Sequence, residues 1–277
     1  MSLAAAAWGP RRQRAAFSLS FDNLGEAAAL QRGEAVDVAR LGRDPTADVV
    51  PTLLALLGDV PATYFIEASN VARYPGVIAA WHEAGQEVGV HAWRHEHWAT
   101  QPAAERRRLL RLSLVAFRTL GLHPLGFRPP GGTLPEGALQ ELREAGLAYC
   151  SPLGEVGASR LEDGLAVLPF AWPHVDAFVL DPTLQTLRQR CGAPAAAGTP
   201  QQWQAALEAL LQRALAEGLH ATVIFHPYLL LHAAHRDVLA WLLRRLRQLP
   251  ELWVASCGDV ARSLLPAGGV AAGAHRS

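Results

Sequence analysis

Gln86-Glu87-Val88-Gly89-Val90-His91-Ala92-Trp93-Arg94-His95-Glu96-His97-Trp98 runs a strand-like segment directly into a cluster of imidazoles. Val88 and Val90 alternate with polar or small neighbours, which is the period of a strand, and His91 stands where that strand should end. If the chain then turns helically, His91 and His95 fall on one face. Two neutral imidazoles so spaced can meet at one divalent ion, about 2.0–2.1 Å from each nitrogen. His97 points elsewhere on that geometry. A bare His-x-x-x-His also fits a histidine-rich surface loop, and the rest of the chain decides between the two.

Working outward, the same arrangement recurs. Phe17-Ser18-Leu19-Ser20-Phe21 alternates as a strand and delivers Asp22 and Asn23, and Ala62 to Ile66 is β-branched and aromatic and ends at Glu67. Pro124 to Phe127 leads to Arg128-Pro129-Pro130-Gly131-Gly132, and Ala221 to Phe225, the clearest buried strand, leads to His226-Pro227-Tyr228. Further short strands are expected at 146–150, 166–169 and 252–255. Helical patterns lie between them: 27–32, 44–58, a segment restarting at Pro75, one opened by Pro102, then 135–145, 201–217, 235–249 and 258–265. Arg106, Arg107, Arg108 and Arg111 read as a solvated face, and 170–176 as irregular chain. Strands alternating with helices argue for parallel strands with helical crossovers. In such folds reactive groups gather at the carboxyl ends of strands, where Asp22, Glu67, His91, Arg128 and His226 all stand.

Composition narrows the function further. With 277 residues, 50% of them hydrophobic, the chain has material for one large core. Lys plus Arg and Asp plus Glu are both 25, so bulk charge offers no hold on nucleic acid. Cys150, Cys191 and Cys257 are odd in number and far apart, which suits a reducing compartment. Met1 to Arg14 has too few apolar residues, and its arginines in the wrong place, for a secretory signal, and no stretch reaches the roughly 20 apolar residues of a membrane span. The expectation is a cytoplasmic protein without a membrane partner: a flexible segment 1–16, a domain 17–265 and a disordered tail 266–277.

With Ser20-Phe21-Asp22-Asn23, His91-Ala92-Trp93-Arg94-His95, Arg128-Pro129-Pro130-Gly131-Gly132 and Phe225-His226-Pro227 in this order, the chain resembles the polysaccharide deacetylases of carbohydrate esterase family four, from about Phe17 to Ser263. The resemblance implies an α/β fold, a distorted (β/α) barrel of roughly seven parallel strands with outer helices, and hydrolysis of an acyl group from an amino sugar or related carbohydrate. It implies a divalent cofactor, zinc foremost, held by an Asp-His-His triad. Carried over, Asp22 matches the general base, His91 and His95 the metal histidines, Arg128 the arginine that orients the base, and His226 the general acid for the leaving amine. Asp176 aligns loosely with the acid that partners this site. Gly131 or a neighbouring amide suits an oxyanion hole, and Trp93, Trp98, Trp172 and Tyr228 suit a sugar cleft.

One position departs from the pattern. Asn23 replaces the carboxylate ligand, and an amide oxygen binds divalent ions more weakly. Glu26 lies near enough in sequence to compensate, or is simply a first-turn helix acid. Three readings follow: a metal-dependent deacylase, a metal-independent amide or ureide hydrolase of the same fold, and a non-catalytic sugar-binding protein.

Overall fold

The computed structural model describes residues 7–31, 33–35 and 41–265. In chain order these form β1 (Ala15–Asp22), α1 (Ala27–Gln31), α2 (Pro45–Leu57), β2 (Ala62–Ile66), α3 (Pro75–Glu83), β3 (Glu87–Val90), α4 (Ala103–Arg118), β4 (Gly126–Phe127), α5 (Ala138–Glu144), β5 (Tyr149–Cys150), β6 (Arg160–Glu162) and β7 (Leu165–Val167). There follow α6 (Asp176–Leu180), α7 (Gln185–Arg190), α8 (Pro200–Glu217), β8 (His220–Phe225), α9 (Ala233–Arg247), β9 (Leu252–Val254) and α10 (Cys257–Leu264).

The strands lie in the order β6-β7-β5-β4-β3-β2-β1-β8, with β9 added at the start of β1. Every pairing is parallel except the β6–β7 hairpin. The run from β8 to β7 therefore supplies the seven parallel strands expected. Beyond β7, Val175 makes a parallel bridge to Ile224 in β8, which brings the two ends of the sheet together as a distorted barrel.

β1 shows how its sequence specifies this. All eight residues are buried. Its period of two sends Phe17, Leu19 and Phe21 to the helical layer, in the main apolar core. Ala16, Ser18, Ser20 and Asp22 share the opposite face, with Ala16 packed beside Phe65, Tyr149 and Leu168 in a second, smaller core. Serines are tolerated there because their hydroxyls are bonded: Ser20 donates to the Val223 carbonyl at 2.8 Å and Ser18 pairs with His220 Nε2 at 3.0 Å. Asp22 is thus the last residue of a strand whose inner face is already polar.

The helices begin and end where their sequences say. Asp44 caps α2 through the Thr46 amide with Pro45 at the first helical position, and Thr199 with Gln202 forms a capping box on α8, which Gly218 terminates at φ 71°. No helix among the described residues is long and apolar enough to cross a membrane.

Four expectations are corrected. β1 begins at Ala15, inside the segment expected to be flexible, and Trp8 is already anchored by its indole N–H on the Gly218 carbonyl at 2.9 Å. Residues 1–6 and the expected tail 266–277 lie outside the described residues. Arg106 is not on a solvated face: it is buried and donates twice to Glu141, at 2.8 and 2.7 Å, tying α4 to α5. The stretch expected to be irregular ends in α6, and α7 and β6 are additional elements.

Gly89 in β3 faces the Phe65 ring so closely that a Cβ would lie 2.5 Å from it. Gly89→Ala should therefore overpack the barrel interior and cost about 1–3 kcal/mol in urea unfolding. An unchanged unfolding midpoint would show that the ring has room to move.

Candidate active site

Arg128 enters the barrel directly after β4 and is fully buried. Its Nη1 donates to Asp22 Oδ1 at 2.5 Å and to Ser20 Oγ at 2.9 Å, while Nε and Nη2 reach Ser151 Oγ at 3.3 and 3.0 Å. The guanidinium lies 4.0 Å over the Phe65 ring. A planar cation so enclosed fixes Asp22 in one orientation.

His91 follows β3. Its Nδ1 lies 2.9 Å from the Arg128 carbonyl, and since a carbonyl only accepts, Nδ1 carries the proton and Nε2 keeps its lone pair. Nε2 lies 3.9 Å from Asp22 Oδ2. Burial lowers the His91 pKa, outweighing the pull of Asp22, so the ring is neutral. The helical turn expected between His91 and His95 is absent. Two left-handed residues, Ala92 at φ 61° and His95 at φ 72°, fold the segment instead, and Glu96 holds it by accepting the Trp93 and Arg94 amides at 3.0 and 2.9 Å. The rings still meet, with centroids 5.0 Å apart.

His226 follows the end of β8, the strand next to β1. Asp176, 1% exposed, accepts from its Nδ1 at 2.6 Å and from its backbone amide at 2.8 Å. Burial alone would lower the His226 pKa, but the Asp176 charge and hydrogen bond prevail and raise it. The loosely aligned acid is therefore a buried partner at the start of α6.

These groups share one cleft of about 240 Å³. Asp22, Asn23, His91, His95 and His226 line it, with Gly131, Trp172 and Tyr228 as expected. Gly131 adopts φ 73°, which accounts for glycine there. The Gly132 amide is committed to the Pro129 carbonyl at 2.8 Å, so Gly131 is the glycine of this turn placed beside the cleft. Trp93 and Trp98 do not line it: Trp93 packs on the main core, and Trp98 lies buried against Phe127. Neither is a sugar platform, because both turn inward from the left-handed corner.

Asn23, at φ 67°, sits in the cleft wall with its Oδ1 buried and without a hydrogen-bond partner. Together with His91 and His95 it forms a donor set that contains no carboxylate. Among the described residues no group of three His, Cys, Asp or Glu side chains is arranged to hold a metal. Glu26 does not compensate from the cleft wall, since its Oε1 accepts the Gly42 amide at 2.8 Å.

Other parts of the site carried no signal in the sequence. The far wall is apolar, built from Phe170, Val175, Ile224, Leu184 and Leu187. The two leucines are carried by the excursion 181–195, which buried Arg188 pins by donating to the Phe178, Asp181 and Ala195 carbonyls at 3.0, 2.7 and 3.0 Å. Tyr228 closes it, donating to Asp181 at 2.6 Å.

Residues 36–150 match the family model described as polysaccharide deacetylase. Over 101 residues, 35% of this chain, the sequence is 31% identical to the peptidoglycan-N-acetylglucosamine deacetylase PgdA of Listeria monocytogenes, a match spanning 22% of that protein's length. A crystal structure from Mycobacterium smegmatis, described as a candidate polysaccharide deacetylase, aligns with TM-score 0.77 at 24% identity over 94% of this chain and 93% of that one. Puue allantoinase aligns with TM-score 0.74 at 18% identity over 94% and 93% of the two chains. The resemblance to polysaccharide deacetylases seen in the motifs is thus borne out, and the fold is their (β/α) barrel.

The Asp176–His226 pair has a signed consequence. In an NMR titration His226 should titrate above the ordinary value near 6.5, and Asp176→Asn should drop it below, since burial, the largest influence, is then opposed only by the smaller pull of Asp22. Because the folded value is raised, the pair's contribution to stability is complete below about pH 6.5 and is lost as pH rises through the folded value. A wild-type His226 that titrates at or below the ordinary value contradicts the pairing.

Proposed function

We propose that this protein is a hydrolase that removes an acyl group from the nitrogen of a small or chain-terminal substrate, an N-acylated amino sugar foremost. One observation carries the reading. A carboxylate oriented by Arg128 and an imidazole oriented by Asp176 stand at the ends of the neighbouring strands β1 and β8 and line one cleft, as the base and the acid of amide hydrolysis must. Its enclosed volume and apolar far wall suit one sugar ring or an acyl chain better than the continuous run of a polymer.

Asp22 takes the proton of a water attacking the acyl carbon. The Gly131 amide, on the cleft lining, stabilises the resulting oxyanion. His226, whose pKa Asp176 raises, gives its proton to the amine nitrogen as the carbon–nitrogen bond breaks. Water and amide thus become acid and free amine. Arg128 keeps Asp22 from turning away from the water, and Leu184 and Leu187 exclude bulk solvent from the far wall.

The donor chemistry suits a divalent ion. His91 Nε2 has its lone pair available, and the orphaned Oδ1 of Asn23 is a buried acceptor awaiting a partner. With His95 these would hold the ion, which when bound supplies Lewis acidity to the acyl carbonyl and to water. A second reading is favoured by the composition of the same set: with no carboxylate at position 23, Asp22 and His226 act without metal on a small amide or ureide.

Asp22→Asn should lower kcat/KM by about 10²–10⁴ on any hydrolysed amide. A variant with wild-type turnover leaves the mechanism without its base.

Calorimetric zinc titration and assay in chelator separate the two readings. A metal centre predicts zinc binding that His91→Ala with His95→Ala abolishes and that Asn23→Asp tightens about tenfold or more, worth about 1.4 kcal/mol. No heat from either protein, together with chelator-resistant wild-type activity and an inactive Asn23→Asp, excludes the metal.

A further inference from the structure

Glu67 ends β2 fully buried and is not part of the cleft lining. A carboxyl group there is costly to bury where an apolar residue would serve a strand end better. Its contacts say what it does. Oε2 accepts the Leu24 amide at 3.1 Å, and Asn70, three residues on and also fully buried, donates its Nδ2 to the Leu24 carbonyl and, at 3.3 Å, to the same Glu67 oxygen. The backbone of Leu24 is therefore gripped on both sides by one pair of side chains. The preceding residue is held as well: the Asn23 amide reaches the Phe65 carbonyl at 3.3 Å and the Tyr64 hydroxyl donates to the Asn23 carbonyl at 2.8 Å.

These bonds sit where the chain leaves regular structure. Asn23 is left-handed at φ 67°, a conformation that persists in a residue with a side chain only when its surroundings impose it. That single residue joins Asp22, fixed by Arg128, to Leu24, fixed by Glu67 and Asn70, and so aims the Asn23 amide into the cleft. Resting on the deacylase reading, we propose that Glu67 and Asn70 are a positioning pair for the reaction, acting through the Leu24 peptide to set the Asp22–Asn23 corner. Burial pushes the Glu67 carboxyl up to about 8, against the hydrogen bond from Leu24, so it is largely uncharged at neutral pH. An amide in its place keeps the acceptor.

The test compares Glu67→Ala, Glu67→Gln and Asn70→Ala by amide hydrogen exchange, thermal unfolding and kinetics on a hydrolysed N-acyl amine. Glu67→Ala should accelerate exchange of the Leu24 amide and lower kcat about tenfold to a hundredfold at nearly constant KM, and Glu67→Gln should restore both. Asn70→Ala, which releases the Leu24 carbonyl, should lower kcat in the same way and stands in if Glu67→Ala does not fold. Wild-type kcat in the alanine variants, or a glutamine variant as impaired as alanine, overturns the proposal. If the wild type hydrolyses no amide, the deacylase reading fails by itself. Leu24 exchange then decides the pair, upheld if protection is lost with alanine and kept with glutamine, overturned if alanine leaves it intact.

Discussion

The buried guanidinium of Arg128 is the constraint on which the rest of this site depends. It bonds Ser20 and Asp22 on β1, covers Phe65 on β2 and holds Ser151 beyond β5, while the backbone carbonyl of Arg128 takes the His91 ring after β3. Five strands, counting β4, which leads into Arg128, are thereby registered against one residue. A charge buried so completely is tolerable only with its partner in place, and removing one member of such a pair typically costs about 3–5 kcal/mol. Stability and the orientation of Asp22 thus rest on the same contacts.

The cleft above Arg128 has two unlike walls. One carries Asp22, Asn23, His91 and His95, with His91 kept neutral by burial. The other joins the Asp176–His226 pair to an apolar surface held in place by Arg188. The apolar flank strengthens the polar interactions of the cleft by excluding water.

What was legible in the sequence was what rests on local rules. Strands buried on both faces read as apolar runs, so β1, β2, β3 and β8 and the polar residues at their ends were placed within one or two positions. Asp22, His91, Arg128 and His226 followed from that. What failed depended on long-range partners. The turn after His91 looked helical because nothing local announces two left-handed residues, which are enforced by Glu96 and the sheet. Arg106 looked solvated because Glu141, its partner, is 35 residues away. Trp93 looked like a sugar platform because aromatic type says nothing of direction, and α6 and α7 were too short for a period to show.

The central claim is that Asp22 and His226 together cleave a carbon–nitrogen bond by adding water to an acyl carbon. Incubating the protein with small N-acyl amines in ¹⁸O-labelled water, and weighing the released acid by mass spectrometry, tests it most directly. The account predicts one ¹⁸O in the acid, an equal amount of free amine, and neither product from Asp22→Asn. Equal product from wild type and Asp22→Asn, or no product from the wild type across the panel, contradicts it.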